Sequence, residues 1–503
     1  MTFLDLLEGA EVLAQSGNPQ VTGVEYDSRR IKPGNVFVAM RGESSDGNRF
    51  IGQAITAGAA AVVTDSDQKP SAVAWAQVRH GRRALAVVSQ NFYGRPAGKL
   101  AITGITGTNG KSTTAFLIES ILSAEGRKCA LVGTIEYHVA GKVLPDPHTT
   151  PEAHDLQRIF RQAADHGASE VVMEVSSHAL AQGRTYGIPF EVGVFTNLTR
   201  DHLDYHATME EYFAAKRILF ERSEIPEPRC AVLNVDDEAG VRLAKFSKGQ
   251  SSRVITYGLL HGDVHATQVE ITAHGTRFRV VTPDDTIPVD SRLIGRVNVY
   301  NILAASAAAY ARGCSSPAIA EGVRTLARVP GRFERVDCGQ AFTVVVDYAH
   351  TDDALRNLTA LAREFVKASG GRVITVFGCG GDRDRSKRPL MGEAAGKGSD
   401  FVVLTSDNPR SEDPVAIIKD AAIGLEGSHA QYQTEPDRRA AIHLAVNTAK
   451  PGDIVLIAGK GHENSQILGS GPVPFDDREV AAEALGDLGY QRERTPAKLE
   501  TRA

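Results

Sequence analysis

The sequence predicts an α/β protein in which parallel sheets are covered by helices. Short runs rich in β-branched residues alternate with Ala- and Leu-rich helical patterns along most of the chain, and this alternation is typical of repeated β–α–β units. A glycine-rich turn joins one of the strand-like runs to the helical pattern that follows it. The chain has 503 residues, enough for about three domains of ordinary size. We therefore expect three α/β domains.

The expected domains cover residues 1–98, 99–332 and 333–503. A polar stretch that contains a proline precedes the first boundary, and a helical pattern that ends in Pro-Gly precedes the second. The first domain is small, and three of its runs are predicted to be strands: 34–40, 59–65 and 84–89. The polar residues Lys498–Ala503 are expected to be frayed.

The strongest chemical signal lies at 102–113, where an apolar run leads into a glycine-rich turn, Lys111 and hydroxyl residues. Glycines let the backbone turn its N–H groups toward an anion, lysine supplies charge for the β- and γ-phosphates, and the Ser112 hydroxyl can bind Mg²⁺. Ile105 stands where the strict P-loop pattern has glycine. A glycine-rich turn without a ligand is the weaker alternative. The predicted phosphate-binding residues are Gly107, Thr108, Asn109, Gly110, Lys111, Ser112 and Thr113.

Composition disfavours several classes of protein. The net charge of −5 argues against a general nucleic-acid-binding protein, which needs a basic surface. The five cysteines lie far apart without a Cys-x-x-Cys pair, so neither a disulfide framework nor a zinc site is expected. The N-terminal residues are acidic where a secretion signal is basic, and no apolar run reaches membrane-spanning length. We expect a cytoplasmic monomer without nucleic-acid or membrane partners.

Polar residues follow the strand-like runs of the second and third domains at the point where each run ends. Ligands on open parallel sheets bind at the carboxyl ends of strands, so two such sheets suggest a site between two domains. The polar segments are 176–178, 199–202 and 235–237 in the second domain, and 347–350, 378–384, 405–410 and 459–463 in the third.

Three side chains of the second domain are candidates for metal chemistry beside Ser112. Glu174 and His202 offer the oxygen and neutral nitrogen that can accompany substrate phosphates around Mg²⁺. Each is equally compatible with an ordinary strand-end acid or a hydrogen-bonded histidine. Lys216 lies in an apolar helical pattern, and its residue type alone predicts a surface lysine with its charge in water.

The order of the motifs resembles that of the Mur ligases, the ATP-dependent amide-forming enzymes of peptidoglycan precursor synthesis. The matching segments are Asp27-Ser-Arg29, Asp46-Gly47, GTNGKST at 107–113, TTP at 149–151, EVSSHAL at 174–180, FTNLTRDHLDYH at 195–206, YFAAKRILF at 212–220, NVYN at 298–301, PGRFERV at 330–336, DYAHT at 347–351, GCGGDRDRSKRPLM at 378–391, DNPR at 407–410 and GKGHE at 459–463.

The resemblance implies a UDP-binding N-terminal domain, a central P-loop ATPase-type domain and a C-terminal Rossmann-like domain that binds an amino acid. Within the family, the sequence resembles the branch that adds meso-2,6-diaminopimelate to UDP-N-acetylmuramoyl-L-alanyl-D-glutamate. ATP, with Mg²⁺, would phosphorylate the D-Glu carboxylate, and an amine would then attack the acyl phosphate. Catalysis of the first step would depend mainly on positioning and charge neutralisation.

The resemblance also implies roles for individual residues. Lys111, Glu174, His202 and Lys216 would be catalytic, and Lys216 would be carbamylated so that it joins Ser112, Glu174 and His202 around the metal. ATP would meet the phosphate-binding residues together with Asn301, Arg332, Asp347 and His350. The UDP-muramoyl-dipeptide would meet Ser28, Thr149, Thr150, Ser176, Gln182 and Arg184.

Selection of diaminopimelate over lysine requires a cation for the extra carboxylate. Arg410 can form a planar two-bond pair with that carboxylate, and Pro409 fixes the approach of its loop. The other amino-acid contacts implied by the resemblance are Arg383, Asp407, Asn408, Gly459 and Glu463. Two positions depart from the family pattern. His148 replaces Asn before the Thr-Thr pair, which leaves one polar contact open, and Asp352 replaces Pro, which is expected to loosen a turn.

Other functions remain open from the sequence. A lysine-adding relative or a folylpolyglutamate synthase-like ligase would share the phosphate-binding turn, and the Asp-Ser-Arg and DNPR segments argue against both. A regulatory module that uses the P-loop as a switch is a more distant alternative. The polar strand ends of the third domain and the candidate metal residues argue against that alternative.

Overall fold

The computed structural model describes residues 1–42, 45–144, 148–250, 252–367 and 369–491. The tail Lys498–Ala503, which we expected to be frayed, lies outside the described residues. The predicted α/β class is confirmed, with three large sheets that are formed mainly of parallel strands. The boundaries near 98 and 332 stay predictions. They fall in the connections between the sheets.

The N-terminal sheet has five strands in the order β1-β5-β4-β3-β2, and only β1 is antiparallel to its neighbour. The side chains of α1 and α3 pack in one apolar cluster against the sheet, and α2 packs in another. The elements are β1 Val12–Ser16, β2 Gly23–Glu25, β3 Asn35–Ala39, β4 Ala61–Thr64 and β5 Ala74–Val78, with α1 Phe3–Leu6, α2 Ile51–Thr56 and α3 Gly81–Phe92.

The run 84–89 was predicted to be a strand, and this prediction was wrong because the run lies inside α3. Ala84, Leu85 and Val88 point into the core, at the spacing of one helix face, while Val87 is only partly buried. A short apolar run does not distinguish a buried strand from a buried helix segment. The remaining strand at this edge of the parallel sheet is β5, which the sequence analysis missed.

The central sheet has eleven strands in the order β16-β15-β14-β13-β12-β11-β6-β10-β7-β8-β9. The strands from β14 to β7 are parallel, and antiparallel strands extend both edges. The strands are β6 Ala101–Thr106, β7 Cys129–Val132, β8 Tyr137–Val139, β9 Lys142–Leu144, β10 Glu170–Glu174, β11 Phe190–Phe195, β12 Cys230–Asn234, β13 Arg253–Gly258, β14 Val264–Thr272, β15 Gly275–Val281 and β16 Thr286–Ser291.

Helices cover both faces of the central sheet, as its almost wholly apolar parallel strands require. Helices α4, α10 and α11 pack on one face, and α5, α6, α8 and α9 pack on the other. The helices are α4 Lys111–Ala124, α5 Ala153–Asp165, α6 Ser177–Ala181, α7 Leu203–His206, α8 Met209–Arg217, α9 Glu238–Ser247, α10 Arg296–Ala311 and α11 Ser316–Thr325. Strand β6 lies between β10 and β11, so the polar ends of those two strands flank the glycine-rich turn.

The C-terminal sheet has six strands in the order β17-β18-β22-β19-β20-β21, all parallel except β17, and β23 and β24 form a separate hairpin. Helices α12, α13 and α14 cover one face, and α15 and α16 cover the other. The elements are β17 Glu334–Arg335, β18 Thr343–Asp347, β19 Val373–Phe377, β20 Phe401–Thr405, β21 Gln431–Glu435, β22 Ile454–Ala458, β23 Ser465–Leu468, β24 Gly471–Pro474, α12 Asp352–Val366, α13 Lys387–Gly398, α14 Pro414–Ala422, α15 Arg438–Thr448 and α16 Asp477–Asp487. None of the helices in the described part of the chain is long and apolar enough to cross a membrane.

His138 on β8 ties the edge of the central sheet to α4. Its Nδ1 lies 2.7 Å from the Glu119 Oε1 atom, and its Nε2 lies 2.9 Å from the Glu136 Oε1 atom. The hydrogen bond to Glu119 outweighs burial and, with Glu136, raises the pKa of His138 from its ordinary value of 6.5 to about 9. A protonated imidazole between two carboxylates therefore stabilises the folded state.

This contribution to stability depends on pH. Because the folded pKa is raised, the stabilisation is complete below about pH 6.5 and is lost as the pH rises through about 9. We expect His138→Gln to lower the free energy of unfolding by about 1–2 kcal/mol near pH 6, allowing for partial solvent screening. Denaturation of both proteins across this pH range checks the effect. A difference in the free energy of unfolding between the two proteins that is still the same at about pH 10 would contradict the assignment.

Candidate functional site

The glycine-rich turn follows β6 and ends where α4 begins at Lys111. Gly107 and Gly110 both have positive φ angles, 144° and 88°. A Cβ atom on Gly107 would lie 1.9 Å from the Thr196 Oγ1 atom, and one on Gly110 would lie 2.4 Å from the Asn301 Oδ1 atom. Only glycine fits these positions. The structure therefore has the glycine turn before α4 that the sequence predicted, and binding of phosphate at the start of this helix stays a prediction.

Lys111 and Lys216 both donate hydrogen bonds to the carbonyl oxygen of Gly107. The Nζ–O distances are 3.1 Å from Lys111 and 2.8 Å from Lys216. Lys216 is 1% exposed, and burial together with the charge of Lys111 lowers its pKa well below the usual range. The prediction that Lys216 is a surface lysine was wrong. Its helix α8 packs beneath the turn. The many apolar residues of α8 predict a buried face, but they do not show that Lys216 lies on that face.

Glu174 ends β10 beside the turn and is 1% exposed. Its Oε1 atom accepts a hydrogen bond of 2.8 Å from the Thr134 amide, and its Oε2 atom accepts one of 3.0 Å from the Thr134 hydroxyl. Thr149 lies 2.9 Å from the same hydroxyl group. The carboxylate is thus fixed in orientation next to the phosphate-binding turn, and it does not behave as a solvated strand-end acid.

Asp201 is a charged residue of this site that the sequence analysis did not select. It is 6% exposed and lies 3.4 Å from His202, 3.7 Å from His350 and 3.6 Å from Lys387. Burial lowers the pKa of His202, and the nearby cations add to this effect although Asp201 opposes it. Asp201 therefore links a candidate metal ligand of the central domain to His350 and Lys387 of the C-terminal domain.

A cavity of about 250 Å³ lies between the central and C-terminal domains. It brings together the phosphate-binding turn, Glu174, His202 and the four further residues predicted for ATP, which are Asn301, Arg332, Asp347 and His350. Arg332 donates a hydrogen bond of 3.3 Å to the Ser112 hydroxyl. Apolar side chains from both domains form one wall, and the sequence analysis missed them: Ile294, Val297, Leu358 and Leu361.

Five of the six residues predicted for the UDP-muramoyl-dipeptide cluster beside β10. Arg184 donates to the Thr150 carbonyl at 2.8 Å and to the Gln182 side chain at 3.1 Å. Thr150 accepts a hydrogen bond of 3.0 Å from the Ser176 amide, and Thr149 lies next to it. The sixth, Ser28, lies in the N-terminal domain, where its hydroxyl bonds the Gln53 side chain at 3.0 Å.

Residues predicted to contact an amino acid gather at the carboxyl ends of β20 and β22. Asn408 donates a hydrogen bond of 2.9 Å to Glu463, and the buried Lys460 bonds both of these side chains. A Cβ atom on Gly459 would lie 2.5 Å from the Asp407 Oδ2 atom. The two loops therefore touch each other, and the close approach requires glycine at 459.

Arg410 and Arg383 converge over Gly380. A Cβ atom on Gly380 would lie 3.1 Å from the Arg410 Nη1 atom and 3.7 Å from the Arg383 Cγ atom. The Arg410 guanidinium bonds the Gly381 carbonyl at 2.8 Å, and burial followed by the charge of Arg383 lowers its pKa. The two side chains thus pass the same glycine, and an arginine of this kind is suited to bind a carboxylate.

The two departures from the family pattern have different consequences. His148 is exposed, and its backbone carbonyl accepts a hydrogen bond of 2.6 Å from the Tyr137 hydroxyl. Asp352 is the first residue of α12 after the N-cap Thr351, where a carboxylate is favoured by the helix dipole. The expectation that Asp352 loosens a turn was wrong, because the cap determines the start of the helix.

The residues present fit a magnesium ion in part. Within the described ranges, no group of three or more His, Cys, Asp or Glu side chains could hold a metal alone. Mg²⁺ normally takes one or two protein carboxylates together with substrate phosphates and water, and Glu174, His202 and the Ser112 hydroxyl meet that requirement. The amine of Lys216 does not fit, whereas a carbamate on the same nitrogen would.

A larger and more open groove of about 1,030 Å³ runs along α4, β8 and α11. Its lining contains none of the predicted catalytic residues. The chemistry of the protein is therefore assigned to the smaller cavity between the domains. A P-loop that faces the strand ends of a second α/β domain defines a nucleotide-dependent enzyme whose site is assembled from two domains.

Comparison with known proteins identifies the family. Three family models match the chain. The model named "Mur ligase family, catalytic domain" matches residues 20–93, and the model named "Mur ligase middle domain" matches residues 105–309. The model named "Mur ligase, glutamate ligase domain" matches residues 331–461. Two curated relatives are both named UDP-N-acetylmuramoyl-L-alanyl-D-glutamate–2,6-diaminopimelate ligase. The protein of Solibacter usitatus is 52% identical, with 96% of each chain covered. That of Geobacillus thermodenitrificans is 46% identical, covering 96% of this chain and 98% of the relative.

A solved structure of an enzyme with the same name is 34% identical, with a TM-score of 0.67, and the match covers 98% of this chain and all of the other. The structure of MurF from Acinetobacter baumannii shares the fold. It is 18% identical with a TM-score of 0.66, and the match covers 91% of this chain and 95% of the other. The chain belongs to the Mur ligase family. It is an ATP-dependent ligase.

Lys111 offers a direct test of the phosphate site. We expect Lys111→Ala to reduce turnover at least about 1,000-fold, because the lost charge would stabilise the phosphoryl group in transfer. The thermal transition should change little, since the hydrogen bonds of this side chain within the described residues go to backbone carbonyls of its own loop. Release of ADP is the measurement, and Lys245→Ala, at an exposed lysine of α9, is the matched control. Near-normal release from the Lys111 variant would refute the assignment.

Proposed function

We propose that this ligase joins meso-diaminopimelate to the D-Glu carboxylate of UDP-N-acetylmuramoyl-L-alanyl-D-glutamate, with ATP as co-substrate, in the cytoplasmic synthesis of peptidoglycan precursors. The convergence of Arg410 and Arg383 over Gly380 is the observation that carries the choice of amino acid. The names of the two curated relatives support the same choice.

Activation of the carboxylate would come first. A carboxylate oxygen of the substrate attacks the γ-phosphorus of ATP, the bond to the β-phosphate oxygen breaks, and ADP leaves. The products of this step are an acyl phosphate and ADP. Lys111 and the amides at the start of α4 would bind the phosphates, and Arg332, beside Ser112, would add a second positive charge. Apolar Ile294, Leu358 and Leu361 would exclude water from one side of the nucleotide.

Amide formation would follow in the same cavity. The free amino group of the second substrate attacks the carbonyl carbon, the carbon–oxygen bond to phosphate breaks, and a proton leaves the nitrogen. The loops at 407–410 and 459–463 would deliver this amine from the C-terminal domain. Thr149, Thr150, Ser176, Gln182 and Arg184 would hold the dipeptide, and Ser28 would contact the uridine end from the N-terminal domain.

Mg²⁺ would be held by Ser112, Glu174 and His202, and it would neutralise charge on the ATP phosphates. Lys216 would join these ligands as a carbamate. Burial and Lys111 depress the pKa of Lys216, so its neutral amine is available to attack the carbon of CO₂ and release a proton. The resulting carbamate is anionic, and its oxygen atoms suit Mg²⁺.

Discrimination between diaminopimelate and lysine would come from the two arginines. Lysine lacks the distal carboxylate, so it would leave the partly buried Arg410 without its charged partner. A charged hydrogen-bonded pair that is lost from such a site costs about 2–5 kcal/mol. This corresponds to a preference for diaminopimelate of about 30-fold to several thousand-fold.

Arg410→Ala tests this specificity. We expect kcat/KM for diaminopimelate to fall by about 30-fold or more, while KM for ATP changes little because the P-loop lies in the other domain. The measurement is ADP release with the UDP-muramoyl-dipeptide and either amino acid. Arg439→Ala, at a half-exposed arginine of α15, serves as the control. Equal use of lysine and diaminopimelate by the wild type would defeat the proposed substrate.

Lys216→Ala tests the carbamate. Activity should be almost lost, and short carboxylates such as formate or acetate should restore part of it by replacing the missing anion. Arg217→Ala, at the outward-facing neighbour on the same helix, should retain activity. Initial rates at low and high Mg²⁺ provide the measurement. A Lys216 variant that is fully active at both concentrations would remove this residue from the mechanism.

A further inference from the structure

Arg438 is a fully buried cation that none of the proposed steps uses. Its side chain is 0% exposed, and so is that of its partner Asp477. The Nε and Nη2 atoms of Arg438 form two parallel bonds to the Asp477 carboxylate, at 2.8 and 2.7 Å. Arg438 is the first residue of α15 and Asp477 the first residue of α16, so the pair joins the starts of two neighbouring helices.

The remaining hydrogen bonds of Arg438 reach the two loops of the candidate amino-acid site. Its Nη1 atom donates to the Ser406 carbonyl at 3.3 Å, and its Nη2 atom donates to the Ala458 carbonyl at 3.0 Å. Ser406 directly follows β20, and Ala458 ends β22. These strands are not neighbours, because β19 lies between them. One guanidinium group therefore spans the end of β19 and fixes the spacing of the two loops.

The same guanidinium lies behind a predicted ligand of the amino acid. Asp407 is 8% exposed, and its Oδ2 atom lies 4.0 Å from the Arg438 Nη1 atom. Among the described residues, this oxygen has no hydrogen-bond partner. This oxygen is buried above Gly459, and Arg438 compensates part of its charge.

Stability alone does not account for a buried ion pair of this kind. Removing two charges from water is costly, and apolar replacements of similar volume are often neutral or stabilising. Placement of binding loops, in contrast, requires an accuracy of about 0.5 Å. Arginine supplies planar bonds in several directions at once, which lysine cannot reproduce.

We propose that Arg438, fixed by Asp477, is a positioning residue that sets the geometry of the amino-acid site. It acts through the Ser406 and Ala458 carbonyls and through Asp407, and it does not touch the substrate itself. The effect on diaminopimelate rests on the function proposed above, whereas the effect on the two loops does not.

Two variants separate positioning from folding. Arg438→Lys retains the charge and loses the planar bonds. The double variant Arg438→Met with Asp477→Leu removes both charges and keeps the volume, so its thermal transition should stay near that of the wild type. In both, KM for diaminopimelate should rise about 10- to 100-fold while KM for ATP stays within about 2-fold. Amide hydrogen exchange should accelerate at 406–410 and 459–463 and stay unchanged at 107–113.

The matched control lies at the opposite end of the strands of the same sheet. Arg372 bonds Asp453 at 2.7 Å and the Thr448 carbonyl at 2.9 Å near the amino ends of β19 and β22. Arg372→Lys should lower the thermal transition and leave both KM values unchanged. Loops that exchange at the wild-type rate in the double variant, or a parallel rise of both KM values, would overturn the proposal. If the wild type does not use diaminopimelate as a substrate, the proposed function is refuted. Hydrogen exchange would still decide the role of Arg438.

Discussion

The shared hydrogen-bond acceptor at Gly107 is the constraint on which the rest of the site depends. Lys111 and Lys216 both donate to this one carbonyl oxygen, in a place from which water is largely excluded. Two ammonium groups so close together repel each other, and burial disfavours both charges. The shared carbonyl keeps the two amines side by side. This arrangement supports the roles proposed for them, a cation for phosphate at Lys111 and a reactive neutral amine at Lys216.

The second requirement is that two domains meet at this loop. Asn109 donates a hydrogen bond of 3.0 Å to Asp353 on α12, and Asp201 lies 3.6 Å from Lys387 at the start of α13. Arg332 stacks on Tyr348, with 4.6 Å between the guanidinium carbon and the ring centre. Because each contact joins the phosphate side to the amino-acid side, the arrangement fits a reaction in which the acyl phosphate must meet an amine before water.

Local sequence patterns predicted much of the fold and the core of the candidate site. Glycine spacing predicted the turn before α4, and polar residues after apolar runs predicted which strand ends gather. The pattern failed where burial is decided by distant segments. The run 84–89 is apolar enough for either a strand or a helix, and Lys216 looks like a surface lysine until α8 is placed beneath the turn. Asp201 lies in a polar strand end that the sequence predicted, but its partner Lys387 lies far along the chain and could not be predicted. Arg438 gave no local signal, since its partner Asp477 is also distant.

In the proposed reaction, phosphate is transferred to the substrate carboxylate before the amide forms. The most direct test uses a UDP-muramoyl-dipeptide that carries ¹⁸O in both oxygens of the reacting carboxylate. We expect one labelled oxygen per turnover to appear in the released inorganic phosphate and the other to stay in the amide, with ADP as the second product. The ¹⁸O content of the phosphate is measured by mass spectrometry. Release of unlabelled phosphate while the amide accumulates would exclude an acyl-phosphate intermediate.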